Sequence, residues 1–88
     1  MRRTIRTDAR QEHAALGALL KQRREDLNLS QRDVASRLGR TQAYVWKVEK
    51  GIQHIDLASL MDLAEILETN ASDLVEKVED ERARFATE

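Results

Sequence analysis

The stretch whose reading decides the fold is Ser30-Gln31-Arg32-Asp33-Val34-Ala35-Ser36-Arg37-Leu38-Gly39-Arg40-Thr41-Gln42-Ala43-Tyr44-Val45-Trp46-Lys47-Val48-Glu49-Lys50-Gly51. Ser30 followed by Asp33 has the form of a capping box, in which a hydroxyl accepts from the N3 amide and the N3 side chain returns the bond. A helix starting there turns Val34, Ala35 and Leu38 to one side. It stops at Gly39, a residue at ease in the left-handed backbone that closes helices. Thr41 then caps a second helix, which Gly51 ends. Two short helices this close in sequence must cross tightly, and the small side chain of Ala35, midway along the first, allows the approach. Val45 and Val48 clamp the second helix from behind and leave its opposite side free.

That spacing is the helix-turn-helix arrangement. On a wheel of about 100° per residue, Val45, Val48 and Glu49 cluster on one side of the second helix. Ala43, Lys47 and Lys50 point the opposite way, with Gln42, Tyr44 and Trp46 on the flanks. The outward set suits duplex DNA. A glutamine amide matches two major-groove atoms of adenine, a lysine donates to guanine O6 and N7, and Ala43 offers an apolar contact for a thymine methyl. An outward lysine alone is usually just solvated; Ala35, Gly39, Val45 and Val48 around it give it meaning.

Upstream, Leu16, Leu20 and Leu27, with Leu19 beside them, predict a first helix from near Thr7 or Asp8 to about Leu27-Asn28. Downstream, Asp56 caps a fourth helix with Leu57, Leu60, Leu63, Ala64 and Leu67 in register. Asn70 with Asp73 caps a fifth, which carries Leu74, Val75 and Val78 and then turns strongly charged. There is no proline, only three glycines, no period-two alternation and no internal repeat. The expected architecture is all-α: a basic arm or start of helix one over 1–11, a domain over 12–78, and a charged helical extension over 79–88.

With 88 residues the chain makes one domain. A chain this short buries only about 60–65% of its unfolded surface, so the core is thin and a partner subunit would add burial. The apolar fraction is 41% and the charged fraction 35%, the balance of a folded helical domain with a solvated surface. The net charge of −1 hides an asymmetry: residues 1–50 hold twelve Lys/Arg against six Asp/Glu, and residues 51–88 three against ten. A basic front half suits a polyanion, with the acidic half held away from it.

Cysteine is absent, which excludes disulfides and thiolate metal sites. His13 and His54 match no ligand spacing, and Glu12-His13 lacks the second histidine of a zinc protease motif. No metal and no cofactor are expected. The basic start, Met1 to Arg6, is followed by no apolar run of a signal peptide, and no segment approaches the roughly 20 apolar residues that span a bilayer. The expectation is a cytoplasmic protein with no membrane association. Nucleophile elbow, phosphate-cradling glycine loop and coupled histidine are all missing, so a non-enzyme is expected.

From Leu16 to Leu74 the chain resembles the phage repressor and Cro-like (Xre) helix-turn-helix regulators. The residues that carry the resemblance are Leu16-Gly17, Leu20, Arg24, Leu29-Ser30-Gln31, Ala35, Leu38-Gly39, Val45, Val48-Glu49-Lys50-Gly51, Leu60, Ala64 and Leu67. The resemblance implies a compact five-helix lambda-repressor-like DNA-binding domain, typically dimeric on pseudo-palindromic sites. It implies that Gln31 anchors a phosphate, that Thr41, Gln42, Ala43 and Lys47 occupy recognition-helix contact positions, and that Tyr44 and Lys50 lie near the DNA backbone. It also implies an ion pair between Arg24 and Glu49. Arg40 stands where the family often has a small or apolar residue; it adds a phosphate contact or loosens the turn's packing.

The expected function is a sequence-specific, duplex-DNA-binding transcriptional regulator, a repressor or autoregulator acting as a homodimer. The alternative is an antitoxin-like or adaptor protein whose main role is to bind a protein partner through the acidic half. The outward side of the third helix separates the two, because an adaptor has no need of Gln42, Lys47 and Lys50 there. Three features stay open. Arg2, Arg3, Arg6 and Arg10 are a groove- or phosphate-seeking arm or a solvated terminus. Trp46 stacks on second-helix side chains or gives its indole N–H to a phosphate. Leu74, Val78 and Phe85 fall on one stripe as a candidate dimer contact, unless the first two close the core.

Overall fold

The computed structural model describes residues 9–87, with side chains described as far as Arg84. Five helices follow one another: α1 (Arg10–Asp26), α2 (Gln31–Leu38), α3 (Gln42–Glu49), α4 (Leu57–Ile66) and α5 (Ala71–Thr87). No strand occurs among the described residues. The fold is all-α.

Each start is set by its cap. Ser30 Oγ accepts from the Asp33 amide at 2.9 Å, and Asp33 Oδ2 accepts from the Ser30 amide at 2.9 Å. Thr41 Oγ1 accepts from Tyr44 N–H at 3.1 Å, Asp56 Oδ1 from Ser59 N–H at 2.7 Å, and Asn70 Oδ1 from Asp73 N–H at 2.8 Å. These bonds satisfy amides that a helix leaves unpaired at its first turn. α1 departs from the pattern. Ala9, at φ 52°, is in the left-handed region and carries no capping side chain, so the helix begins at Arg10 rather than at Thr7 or Asp8. At the other end of α1, Asn28 takes φ 58°, a conformation asparagine tolerates.

One core runs through the bundle: Leu16 and Leu20 of α1, Val34 and Ala35 of α2, Val45 and Val48 of α3, then Leu60, Leu63, Ala64, Leu67 and Leu74. The void enclosed by Leu20, Val34, Val45, Val48, Leu63 and Leu67 is about 10 Å³, too small for a ligand. Two residues expected on inward stripes are outside it. Leu57 is 70% exposed and Val75 43% exposed. Each sits about a quarter turn from the packed stripe of its helix, beyond what the neighbouring elements cover.

Of the stripe named as a candidate dimer contact, one residue turns inward. Leu74 is only 4% exposed and belongs to the core, so it has no surface left for a partner. Val78 is half-buried against the same core. The Phe85 side chain lies outside the described residues, as do Arg2, Arg3 and Arg6.

The position of α3 is fixed by backbone. A Cβ at Gly17 would fall 2.5 Å from the carbonyl oxygens of both Val48 and Glu49, and one at Gly51 would fall 2.7 Å from the Ala14 Cα. α1 therefore rests directly on the last turn of α3, at a distance only glycine permits. Arg23 of α1 holds the far side, donating to the carbonyls of Leu67 at 2.7 Å and Glu68 at 2.9 Å where α4 ends. No helix among the described residues is long and apolar enough to cross a membrane.

Candidate nucleic-acid interface

Gly39 takes φ 73° between α2 and α3, and Arg40 N–H reaches back to the Ala35 carbonyl at 3.0 Å. This turn sets the two helices across one another, with Ala35 buried at the crossing. Val45 and Val48 are buried beneath α3, at 3% and 4% exposure. The consequence is a helix with one face free: Gln42, Ala43, Trp46, Lys47 and Lys50 are all exposed, Thr41 is exposed ahead of them, and Tyr44 is half-buried at the edge.

Charge on this face follows from what lies behind it. Glu49 is the only acid in α3, and its side chain is 6% exposed. Its two oxygens meet Arg24 in a fork-to-fork pair, Nε to Oε2 at 2.6 Å and Nη2 to Oε1 at 3.1 Å. Arg24 also donates to the Leu29 carbonyl at 2.8 Å. The bond to Glu49, opposed by burial, holds the Arg24 guanidinium above its ordinary pKa, so Arg24 keeps its charge. In α2, Asp33 is occupied by its box with Ser30, whose backbone bond lowers its pKa. Both acids of the segment from Gln31 to Lys50 thus have internal partners, while Lys47 and Lys50 are presented to solvent.

Other side chains named from the sequence have definite placements. The Gln31 amide donates to Glu49 Oε1 at 2.9 Å; one amide hydrogen is committed there and the second remains for an outside acceptor. The Arg40 guanidinium lies 4.6 Å from the Tyr44 ring centroid, and its Nη2 is 3.5 Å from Ser59 Oγ. Arg40 therefore spans from the turn to the start of α4. Trp46 is 45% exposed, and its ring partner is the Lys50 ammonium, 5.7 Å from its centroid.

Sequence reasoning missed four things. His13 and His54 stack with ring centroids 4.5 Å apart, a contact no local spacing encodes. The Gln31 bond to Glu49 and the Arg23 cap on α4 depend on the crossing of distant elements. The backbone contact at Gly17 did leave a signal: a glycine inside a helix costs about 1 kcal/mol against alanine and calls for a packing reason. Among the described residues no group of three or more His, Cys, Asp or Glu could hold a metal ion.

A pair of short helices crossing at a glycine turn, the second clamped behind and cationic in front, defines a helix-turn-helix protein of the DNA-binding regulator class. The chain belongs to the helix-turn-helix domain family, whose profile matches residues 15–77. Solved structures of similar fold include the clp gene regulator ClgR of Corynebacterium glutamicum, with TM-score 0.77 and 22% identity, covering 86% of this chain and 81% of that one. The restriction-modification controller protein C.AhdI of Aeromonas hydrophila matches with TM-score 0.68 and 28% identity, covering 72% of this chain and 96% of that one. Hydroxypropylphosphonic acid epoxidase of S. wedmorenis matches with TM-score 0.69 and 30% identity, but the alignment takes in 74% of this chain and only 35% of that enzyme. No curated protein matches the sequence.

Proposed function

We propose that the protein is a sequence-specific regulator of transcription that binds a pseudo-palindromic operator as a homodimer, acting as a repressor or autoregulator, and that it is not an enzyme. The observation that carries the reading is the free face of α3, where Gln42, Lys47 and Lys50 are exposed and the one nearby carboxylate is turned inward onto Arg24. Gln42, Ala43 and Lys47 read base edges in the major groove. Gln31, Arg40, Thr41, Tyr44 and Lys50 meet phosphates and fix the register. C.AhdI is a restriction-modification controller protein and ClgR a clp gene regulator, which supports the regulatory role. Such a protein acts on the chromosome, in the cytoplasm.

A twofold dimer places two copies of α3 in successive major grooves, about 34–36 Å apart. In place of Leu74, the surface offered to a second copy is the exposed apolar set Leu57 and Met61, one turn apart on α4, with Val75 on α5. Val75 also lines a groove of about 310 Å³ with Leu16, Ile55, Leu60 and Val78. The same surface, in the acidic half, is where a protein partner would bind under the antitoxin-like reading.

Selection of bound duplexes from a random pool, with light scattering to count subunits on the winner, tests the proposal. A symmetric enriched site bearing two subunits is expected; an unenriched pool refutes it. On the enriched site, Gln42→Ala or Lys47→Ala costs about 1–3 kcal/mol and relaxes selectivity at one base pair. Uniform weakening across sequences would reassign these two to the DNA backbone.

A further inference from the structure

We infer that Trp46, together with Ala43, forms an apolar notch on α3 that takes the 5-methyl group of a pyrimidine in the major groove, making Trp46 a specificity-determining residue. The inference rests on the DNA-binding reading above and names the base chemistry that this face selects.

The two residues are three apart on one helix, hence neighbours on its surface. Ala43 is exposed and presents nothing larger than a methyl group, while Trp46 beside it leaves 45% of a large aromatic in water. Lys50, four residues further on, leans back over the indole with its ammonium 5.7 Å from the ring centroid. One side of the ring is thus occupied by a cation, and Ala43 lies toward the other end of the helix. The result is a hydrophobic step between two lysines, Lys47 and Lys50, on a helix whose only carboxylate is internally paired.

That charge pattern selects the occupant. An apolar patch meant for a protein surface would not need two exposed ammonium groups at its rim and no exposed acid. A polyanion with apolar groups on its edge fits both features. In the major groove of DNA the group of that kind is the pyrimidine 5-methyl, carried by thymine and by 5-methylcytosine. Deoxyuridine and unmodified cytosine lack it.

The experiment uses the full chain and the duplex enriched from the random pool. Each thymine is replaced in turn by deoxyuridine, and each cytosine of the site by 5-methylcytosine. At one position per half-site, loss of the thymine methyl should weaken binding about three- to five-fold, the worth of one buried methyl-sized group. If cytosine occupies the facing position instead, methylation should tighten binding by a similar factor. Trp46→Ala should abolish that sensitivity while leaving the melting temperature unchanged, since the ring is not part of the core. Trp46 is also the only tryptophan, so its emission should change on binding the enriched duplex. Enrichment of a site at which no methyl matters, or full methyl sensitivity in Trp46→Ala, overturns the inference and leaves DNA binding standing. Absence of any enriched site overturns both.

Discussion

Glu49→Ala is the most exacting perturbation of the frame behind the recognition helix. It removes both oxygens that hold the Arg24 guanidinium, at 2.6 Å and 3.1 Å, and the acceptor of the Gln31 amide. Arg24 cannot relieve its position by losing a proton, because its pKa is high to begin with. Breaking a buried pair by deleting one partner costs about 3–5 kcal/mol. The Arg24 side chain is 11% exposed and keeps the Leu29 carbonyl, which places the loss at the lower end, about 3 kcal/mol. A chain of 88 residues has a total stability of roughly 4–13 kcal/mol. Each kcal/mol moves Tm by about 4–8 °C at this size, so a drop of about 12–24 °C is expected by calorimetry or circular dichroism. The double variant Arg24→Met/Glu49→Leu fills the space without charge and should recover most of that loss. A single variant that melts within about 3 °C of the parent, or a double variant no better than the single, refutes the assignment of the pair as buried and mutually dependent.

The remaining expectations concern other links. Gly17→Ala forces the α1 backbone away from the Val48 and Glu49 carbonyls, so stability falls by about 1–3 kcal/mol in thermal melts and operator affinity falls with it. The carboxyls of Asp33 and Asp56 are lowered, chiefly by their backbone bonds to Ser30 and Ser59. Lowered carboxyls stabilise the fold above the ordinary carboxyl pKa of about 3.9, and that contribution is lost as pH falls through the lower folded values. Melts should therefore be flat in this respect from neutral pH down to about 5, and Asp56→Ala should blunt the fall below about 4. Lys50→Ala should weaken binding to all duplexes alike and reduce the slope of log affinity against log salt by about one per half-site, as read by titration at several salt concentrations. Val75→Glu with Leu57→Glu should leave the monomer melt unchanged and lower the dimer fraction in sedimentation; an unaltered dimer would place the interface elsewhere.

The helix starts at α2 to α5 were legible because each is specified by a side chain that caps its own first turn, as Ser30, Thr41, Asp56 and Asn70 do. The clamped rear of α3 was legible for a similar reason: Val45 and Val48 are one turn apart and need only helical period to be placed. Periodicity misled where it stopped being local. Leu57 and Val75 fit an apolar pattern, but their exposure depends on whether another element reaches them. Leu74 joined a stripe with Val78 and Phe85, but burial at the bundle centre takes Leu74 into the core. The stacked rings of His13 and His54 and the Gln31 bond to Glu49 join segments far apart in sequence, and no spacing rule reports on such meetings. The face of α3 was read from the wheel, but the seating of Lys50 over Trp46 was not, since it is a choice among side-chain rotamers.

The contact between Gly17 and the last carbonyls of α3 bears on how such a protein acquires new targets. Main chain abuts main chain there, so the pitch at which the reading element is held owes nothing to the groups it displays. On the proposed reading, Gln42, Ala43, Trp46 and Lys47 are interchangeable lettering on a fixed mount. Exchanging them should then alter which duplex is chosen while the holder keeps its aim, whereas a single methylene added beneath should tilt every letter at once.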